Sequence, residues 1–245
     1  MDTSPFLRGR RAPGWLLDEL ASVGRENLDV DHVSRYDIKM DAEGVGELDV
    51  LRRLGLSRDS EVVDLGAGTG QFVLAAAPVC ARVVAVDISP VMLGMLRAKV
   101  DASSFANVEI VQAGFLTYEH RGGPADFVYS RYALHHIPDF WKAIALKRIR
   151  GILRPGGVFR LWDVVYSFDL AEAEARLGAW CATLDGDTDS EWTRADIEEH
   201  VRDEHSTFSW LLEPMLLTSG FEIEDAVYSP DGIYARYIAR AKPIL

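Results

Sequence analysis

Hydrophobic positions along the chain change their periodicity near residue 61. From there, short runs of β-branched residues alternate with stretches of helical periodicity, at 61–66, 71–79, 81–87, 90–100 and 108–113. The alternation continues with a strand at 125–130, a helix at 139–153 and a strand at 158–165. Strands and helices in strict alternation predict right-handed parallel βαβ units, and so a doubly wound α/β fold.

The segment before residue 57 has a different pattern. Residues 1–56 indicate helices joined by polar links, at 15–23, 31–36 and 45–54. We therefore predict an N-terminal helical lid over 1–56, ahead of a main domain over 57–245.

A second departure follows the strand at 158–165. Between about 167 and 206 the β pattern stops and an acidic, tryptophan-containing helical insert takes its place. The insert is either a solvated helical face or a cap over a binding site. After it, the runs FEIEDAVY and YARYIARA are separated by SPDG, which predicts an antiparallel hairpin at the edge of the sheet.

Composition narrows the class of protein and its partners. With 48% hydrophobic and 26% charged residues among 245, disordered, collagenous and fibrous chains are excluded. A net charge of −12 repels phosphate backbones and anionic membranes, so nucleic acid and membranes are not expected partners. The two cysteines, Cys80 and Cys181, lack the spacing of a metal site or disulfide scaffold, and no apolar signal segment is apparent. We expect a cytoplasmic protein.

A glycine-rich loop follows the strand at 61–66. VVDLGAGTG brings Gly66, Gly68 and Gly70 together where the backbone must turn sharply and lie against a ligand. The spacing is GxGxG, and Gln71 stands where the dinucleotide fingerprint would need glycine, so NAD(P) is disfavoured. Asp87 ends the next strand, where an acid can accept both hydroxyls of a ribose. Its alternative role is to cap the helix that begins at Pro90.

These motifs resemble a known family. VVDLGAGTG, VVAVDISPVML and the block from Asp126 to Gly157 are similar in order and spacing to the class I S-adenosylmethionine-dependent methyltransferases, in particular the small-molecule type of ubiquinone and menaquinone biosynthesis. The resemblance implies a Rossmann-like, seven-stranded doubly wound sheet, mostly parallel with an antiparallel last strand. It also implies S-adenosyl-L-methionine as cofactor.

The resemblance assigns cofactor-binding roles residue by residue. The methionine portion would lie against Asp64, Gly66, Ala67, Gly68 and Gly70, with Ser130 and Arg131 near its amino acid group. Asp87 would bind the ribose, and the adenine would lie between Ile88 and Met92 on one side and Phe115 and Leu116 on the other. Gly114 departs from the family, because many members have an aspartate there to accept the adenine amino group. We therefore expect backbone groups or Gln112 to recognise adenine.

Candidate catalytic residues follow the fourth strand. Methyl transfer from a sulfonium depends mainly on alignment and exclusion of water, and a general base is optional. His135 is the candidate base, whereas His136 is expected to be structural, so that only one of the pair faces the pocket. No metal is expected, because the sequence places no third ligand beside the two histidines.

Acceptor recognition is expected from the insert and the strand before it. Asp163 is the only carboxylate in an apolar run, so it either contacts a ligand or pairs with a neighbour such as Arg160. The insert adds aromatic residues and possible bases, of which we select Tyr166, Trp180 and His205, with His200 as a further base and Tyr36 from the lid. Packing and a solvated surface are the alternatives for these residues.

The function expected from the sequence is methyl transfer to a small organic acceptor. A methyltransferase acting on RNA or protein is one alternative, and the net charge opposes RNA. A non-catalytic S-adenosylmethionine-binding protein is another. The acceptor, the atom methylated and the oligomeric state do not follow from the sequence.

Overall fold

A computed structural model describes residues 13–24, 27–34, 44–184 and 192–243. Its strands are β1 Glu61–Leu65, β2 Arg82–Asp87, β3 Val108–Gln112, β4 Ala125–Arg131, β5 Leu153–Tyr166, β6 Thr207–Phe208, β7 Phe221–Tyr228 and β8 Tyr234–Ala241. Its α-helices are α1 Glu19–Ser22, α2 Val30–Ser34, α3 Gly44–Arg53, α4 Gln71–Ala76, α5 Pro90–Asp101, α6 Asp139–Ile152, α7 Ala173–Ala182, α8 Arg194–Asp203 and α9 Ser209–Ser219. No helix among these residues is both long and apolar enough to span a membrane.

The strands form one mixed sheet in the order β3-β2-β1-β4-β5-β8-β7. β1 pairs in parallel with both β2 and β4, so the strand order reverses at the centre of the sheet. β8 runs antiparallel to β5 and β7, which confirms the predicted antiparallel last strand and terminal hairpin. The two-residue β6 adds to the end of β5 as an eighth strand that the sequence did not indicate. Ligands collect at the carboxyl ends of strands where the order reverses, here β1 and β4.

Helices cover both faces of the sheet. The side chains of β1 alternate between two hydrophobic clusters, with Val63 in one and Val62 in the other. α6 and α9 supply buried side chains to the first cluster, and α3, α4 and α5 supply them to the second. Strands covered on both faces have nearly continuous apolar sequences, which explains why these runs were evident in the sequence.

The N-terminal segment differs from its prediction. The helix expected over 15–23 is reduced to Glu19–Ser22, begun by Asp18, whose carboxylate accepts the N–H groups of Leu20 and Ala21. α3 belongs to the body of the fold, because Leu48 and Leu51 are buried in the core beneath the sheet. A separate lid could therefore include only residues before α3.

One buried ion pair attaches α3 to the sheet. Glu47 accepts two hydrogen bonds from the Arg160 guanidinium of β5, at 2.7 Å and 2.9 Å, and both side chains are almost fully buried. Arg160 therefore pairs with Glu47, and the pairing with Asp163 considered from the sequence was wrong.

The insert folds as two helices over the carboxyl end of β5. Trp180 of α7 and Ile197 of α8 pack into a third hydrophobic cluster with Val164, Tyr166 and other residues near the end of β5. Residues 185–191, which connect the two helices, lie outside the described part of the chain.

Candidate functional site

The glycine loop between β1 and α4 has the backbone geometry that its sequence predicts. Gly66, Gly68 and Gly70 have φ angles of +80°, +53° and +87°, which side chains rarely permit. A Cβ on Gly66 would lie 2.2 Å from the Cβ of Ala133, so no side chain fits there. The N–H groups of Gly66 and Ala67 donate to the carbonyl of Val86, which holds the loop against β2.

Asp87 holds the loop from the end of β2. One carboxylate oxygen accepts the N–H of Gly68 at 2.8 Å, and the other accepts the N–H of Ser89 at 2.8 Å. The cap of α5 is Ser89, whose hydroxyl accepts the N–H of Met92. The alternative role of Asp87 as the helix cap was therefore wrong, because Ser89 takes it.

Two buried carboxyl groups, those of Asp64 and Asp87, lie beside this loop. Burial raises the pKa of Asp87 above its ordinary value, although the N–H groups of Ser89 and Gly68 favour its charged form. Burial, together with the charge of Asp87, raises the pKa of Asp64 well above its ordinary value. A cationic ligand would stabilise both carboxylates.

Most of the predicted cofactor residues line two adjoining hollows at the carboxyl ends of β1 and β4. A cleft of about 610 Å³, counting space open to solvent, is lined by Gly66, Gly68, Asp87, Ile88, Met92, Gly114 and Phe115 among others. A hollow of about 470 Å³ is lined by Asp64, Gly66, Ala67, Gly68 and Arg131 among others. The loop glycines therefore form the boundary between the two hollows.

Three predicted cofactor residues lie behind these walls. Gly70 begins α4, and a Cβ there would collide with Leu96. The N–H of Leu116 is donated to Glu19. Ser130 is fully buried, and its hydroxyl has no hydrogen-bond partner among the described residues.

Glu19 is a residue of the cleft that the sequence did not reveal. Its carboxylate accepts the N–H of Leu116 at 3.1 Å and the hydroxyl of Thr117 at 3.4 Å. It occupies the space beside Gly114, because a Cβ there would lie only 2.3 Å from a Glu19 oxygen. Burial raises the pKa of Glu19 to about 7. Gln112, the expected polar side chain, is exposed and donates to the carbonyl of Ile88.

A larger cavity of about 2090 Å³, counting space open to solvent, adjoins the cleft. Val23, Asn27, Tyr132 and His136 line both spaces, so the two are continuous. Residues of α7 and α8 form much of its wall, including the predicted acceptor residue Trp180.

The other predicted acceptor residues are distributed differently. His205 lines the larger cavity, whereas Asp163 lies beneath its wall. Tyr166 packs against the rings of Phe168 and Phe208, away from the cavity lining. Tyr36 lies outside the described residues.

His135 lies between two carboxylates. Its Nδ1 contacts Asp163, which also accepts the backbone N–H of His135 at 3.1 Å, and its Nε2 lies 3.0 Å from Glu204. Burial alone would lower the pKa of His135, but Asp163 and then Glu204 raise it to about 10. The same contact with His135 holds the pKa of Asp163 below its ordinary value despite burial.

His136 has a different environment. Burial and the neighbouring His135 lower its pKa to about 3, and its Nδ1 has no hydrogen-bond partner in the described part of the chain. Both histidines line the larger cavity, so the expectation that only one of them would face the pocket was wrong.

Comparisons with known proteins agree with this geometry. Residues 62–157 match a protein family described as "Methyltransferase domain". The chain is 32% identical over 145 residues to trans-aconitate 2-methyltransferase of Methylobacterium radiotolerans, covering 56% of this chain and 52% of that protein. It is 26% identical over 113 residues to demethylmenaquinone methyltransferase of Geobacillus stearothermophilus, covering 45% and 47%. The chain thus spans about half the length of these curated relatives.

A solved structure shows the same fold. The N-methyltransferase NodS of Bradyrhizobium japonicum, in complex with S-adenosyl-L-homocysteine, aligns with a TM-score of 0.59 at 18% identity. The alignment covers 92% of this chain and all of that one. The helices and the sheet are therefore arranged in the same way in the two proteins.

Proposed function

We propose that the chain is a class I methyltransferase that transfers a methyl group from S-adenosylmethionine to a small organic acceptor. The observation that carries this proposal is the loop of Gly66 and Gly68, bonded to Asp87 at a cleft that opens into a larger cavity. The cleft suits the nucleoside, and the continuous cavity leaves room for an acceptor beside it.

The donor groups of the two hollows fit this cofactor. The carboxylates of Asp64 and Asp87 favour a ligand with positive charge, which the cofactor's sulfonium and ammonium groups provide. Asp87 is the acceptor for the ribose hydroxyls. Arg131 Nε, in the wall of the smaller hollow, is buried without a hydrogen-bond partner among the described residues, and it would serve the amino acid group. Buried polar atoms without partners are rare in folded proteins, so they indicate a ligand.

When bound, S-adenosylmethionine supplies a methyl group that is already activated by the positive sulfur. This chain's residues then have to orient the acceptor in line with that bond and exclude water, which contributes about 7 to 11 kcal/mol in favourable cases. Tyr132 and His136 lie where the cleft meets the larger cavity, so they border the point of transfer. His135 as the general base stays a prediction.

Two segments cover the site in this proposal. The helices α7 and α8 of the insert serve as a cap, supported by their contribution to the wall of the larger cavity. Residues 13–24 and 27–34 serve as the lid, supported by Val23 and Asn27 in both linings and by the hydrogen bond from Ser89 Oγ to the Asn27 carbonyl at 2.6 Å. Both segments enclose the acceptor from the side opposite the sheet.

A small acceptor and a cytoplasmic location complete the proposal. The net charge of −12 opposes binding of RNA, and side chains of α7 and α8 contribute to the lining of the cavity. Cys80 and Cys181 are free and buried, as expected in a reducing compartment.

Binding and turnover should be measured separately. We expect S-adenosylhomocysteine to bind with a calorimetric signal that NAD⁺ does not give. We also expect the protein to convert S-adenosylmethionine to S-adenosylhomocysteine when given a small-molecule extract, and not when given RNA or protein. Binding of NAD⁺ in place of S-adenosylhomocysteine would contradict the cofactor, and conversion that requires RNA or protein would contradict the acceptor class.

Glu19 supplies, in this proposal, the adenine acceptor that Gly114 lacks. Replacing Glu19 by alanine should weaken S-adenosylhomocysteine binding about tenfold or more, the effect of losing one hydrogen bond to an ionisable group. Glu19→Gln keeps an acceptor oxygen and should bind nearly as well as the parent. Leu20→Ala, on the same helix turn but partly exposed, is the matched control. Equal affinity of all three variants in calorimetry would exclude this role for Glu19.

The raised pKa of Glu19 also predicts a pH dependence of stability. The folded protein holds this proton up to about pH 7, whereas an unfolded glutamate loses it near 4.5. The folded state therefore binds more protons between these values, and stability falls as pH rises through them. We expect Glu19→Gln to be more stable than the parent at about pH 8 and equally stable at about pH 4. Urea unfolding without cofactor at both pH values measures the difference.

A further inference from the structure

Three side chains from two parts of the fold converge on one wall of the larger cavity. His135 lies in the turn after β4, and His200 and Glu204 lie one helical turn apart at the end of α8. Glu204 Oε2 lies 3.0 Å from His135 Nε2 and 2.5 Å from His200 Nδ1. One ligand atom from each of the three residues lies within 4.8 Å of the others. The three atoms therefore surround a common point.

The outer nitrogens of both imidazoles are held by other groups. Asp163 contacts His135 Nδ1, and Ser206 Oγ lies 2.9 Å from His200 Nε2. Metal-binding histidines characteristically have their second nitrogen hydrogen-bonded in this way, which fixes the ring and its tautomer. Both rings are consequently fixed with their remaining nitrogens turned toward Glu204.

Two polar atoms on the inner side of this cluster lack a normal hydrogen-bond partner among the described residues. Glu204 Oε2 has no hydrogen-bond partner of normal geometry among the described residues, despite its two short approaches to histidine. His136 Nδ1 is also without a partner and lies 3.9 Å from the same oxygen. Two of the four potential ligand atoms at this point, Glu204 Oε2 and His136 Nδ1, therefore lack a hydrogen bond of normal geometry among the described residues.

We propose that His135 Nε2, His200 Nδ1 and Glu204 Oε2 bind a divalent transition-metal ion, with His136 Nδ1 as the nearest further donor. Two imidazoles and one carboxylate suit Zn²⁺, Mn²⁺ or Fe²⁺, whereas Mg²⁺ and Ca²⁺ favour sites made only of oxygen. Asp163 is a positioning residue that orients His135. The sequence alone did not predict that these three residues lie together.

If the protein is a methyltransferase, as proposed above, this metal site also indicates the class of its acceptor. All of its ligands line the larger cavity, so the ion would contact the acceptor instead of the cofactor's nucleoside. A divalent cation binds the oxygens of hydroxyl and carboxylate groups, and it lowers the pKa of a bound hydroxyl. The acceptor class is then a small molecule with such oxygen donors near the methylated atom.

The test is metal binding alone, without cofactor or acceptor. We would treat the untagged full chain with a chelator and titrate it calorimetrically with Zn²⁺, with Mn²⁺ and, as a contrast, with Mg²⁺. We expect one Zn²⁺ or Mn²⁺ per chain and no saturable binding of Mg²⁺. Asp163→Asn should weaken binding about 10- to 100-fold, the usual effect of losing an outer partner. His200→Ala and Glu204→Gln should weaken it more than Asp163→Asn does.

His205→Ala is the matched control, since it removes a neighbouring histidine of the same cavity wall that is outside the cluster. Its metal affinity should equal that of the parent. Absence of saturable Zn²⁺ and Mn²⁺ binding would overturn the proposal, as would equal losses in His205→Ala and His200→Ala. Each variant is checked by S-adenosylhomocysteine binding, which shows that it is folded and separates a failed metal site from a failed cofactor assignment.

Discussion

Replacing Glu47 by alanine should lower the free energy of unfolding by about 3 to 5 kcal/mol, the usual cost of leaving one charge of a buried pair without its partner. Glu47 is 2% exposed and Arg160 is 4% exposed, and their two hydrogen bonds join α3 to the centre of β5. Without Glu47, the guanidinium of Arg160 remains buried beside apolar strands. Urea unfolding followed by circular dichroism would measure the loss.

A matched control lies two residues along the same helix. Asp49 forms an exposed ion pair with Arg52, and such pairs contribute only about 0.2 to 1 kcal/mol. Asp49→Ala should therefore have little effect. The double variant with Glu47→Met and Arg160→Met should recover most of the stability, because it removes both buried charges together. A loss in Glu47→Ala no larger than that in Asp49→Ala would show that α3 does not depend on the pair.

This ion pair also shows why the sequence did not place the helix at 45–54 in the core of the fold. The amphipathic pattern of residues 45–54 does not distinguish a helix packed in the core from a helix on the surface. Its attachment depends on Arg160, which is more than a hundred positions later in the chain. Contacts between residues so far apart in the chain depend on the topology of the fold. The amphipathic periodicity therefore predicts the helix but not its position in the core.

The cleft beside the glycine loop, where we propose that the cofactor binds, was predictable because its determinants are local. The glycine loop, its preceding strand and Asp87 lie within 26 consecutive residues, 62–87, and the parallel pairing of β1 with β2 brings them together. Positive φ angles at Gly66 and Gly68 required glycine, and glycine is visible in a sequence. A positive φ angle thus restricts the residue type, so this feature of the backbone can be predicted from the sequence.

Glu19 shows the opposite case. An acid in the first turn of a short helix is common, because it interacts favourably with the helix dipole. Only the folded chain shows that Glu19 fills the space beside Gly114. Gly114 indicated that a side chain was missing there, and the side chain that fills the space comes from the N-terminal segment.

The metal-binding cluster combines both situations. His200 and Glu204 have the i, i+4 spacing that places two ligands on one helical face, so two of the three ligands were visible in the insert. The approach of these two side chains to His135 depends on how the insert folds back over β5. The expectation that no metal is bound had relied on the lack of a third ligand in the local sequence.

Replacing Asp87 by alanine should weaken S-adenosylhomocysteine binding by about 1.5 to 3 kcal/mol, or about 10- to 150-fold, the range for hydrogen bonds to a charged group. The carboxylate has two tasks, because in the proposed site it accepts the ribose hydroxyls while it also holds the N–H of Gly68. Its loss removes ligand contacts and frees the loop. Asp87→Asn retains one acceptor oxygen, so we expect a smaller loss.

Asp126→Ala separates loss of ligand contacts from general loss of stability. Asp126 also accepts a backbone N–H, that of Glu61 at 2.8 Å, but it lies at the start of β4, away from the cleft. We expect Asp126→Ala to lower the melting temperature and to leave S-adenosylhomocysteine affinity unchanged. If calorimetry gave Asp87→Ala the parent's affinity, or if Asp126→Ala weakened binding equally, ribose recognition by Asp87 would be excluded, and the glycine loop would have to bind its ligand through backbone groups alone.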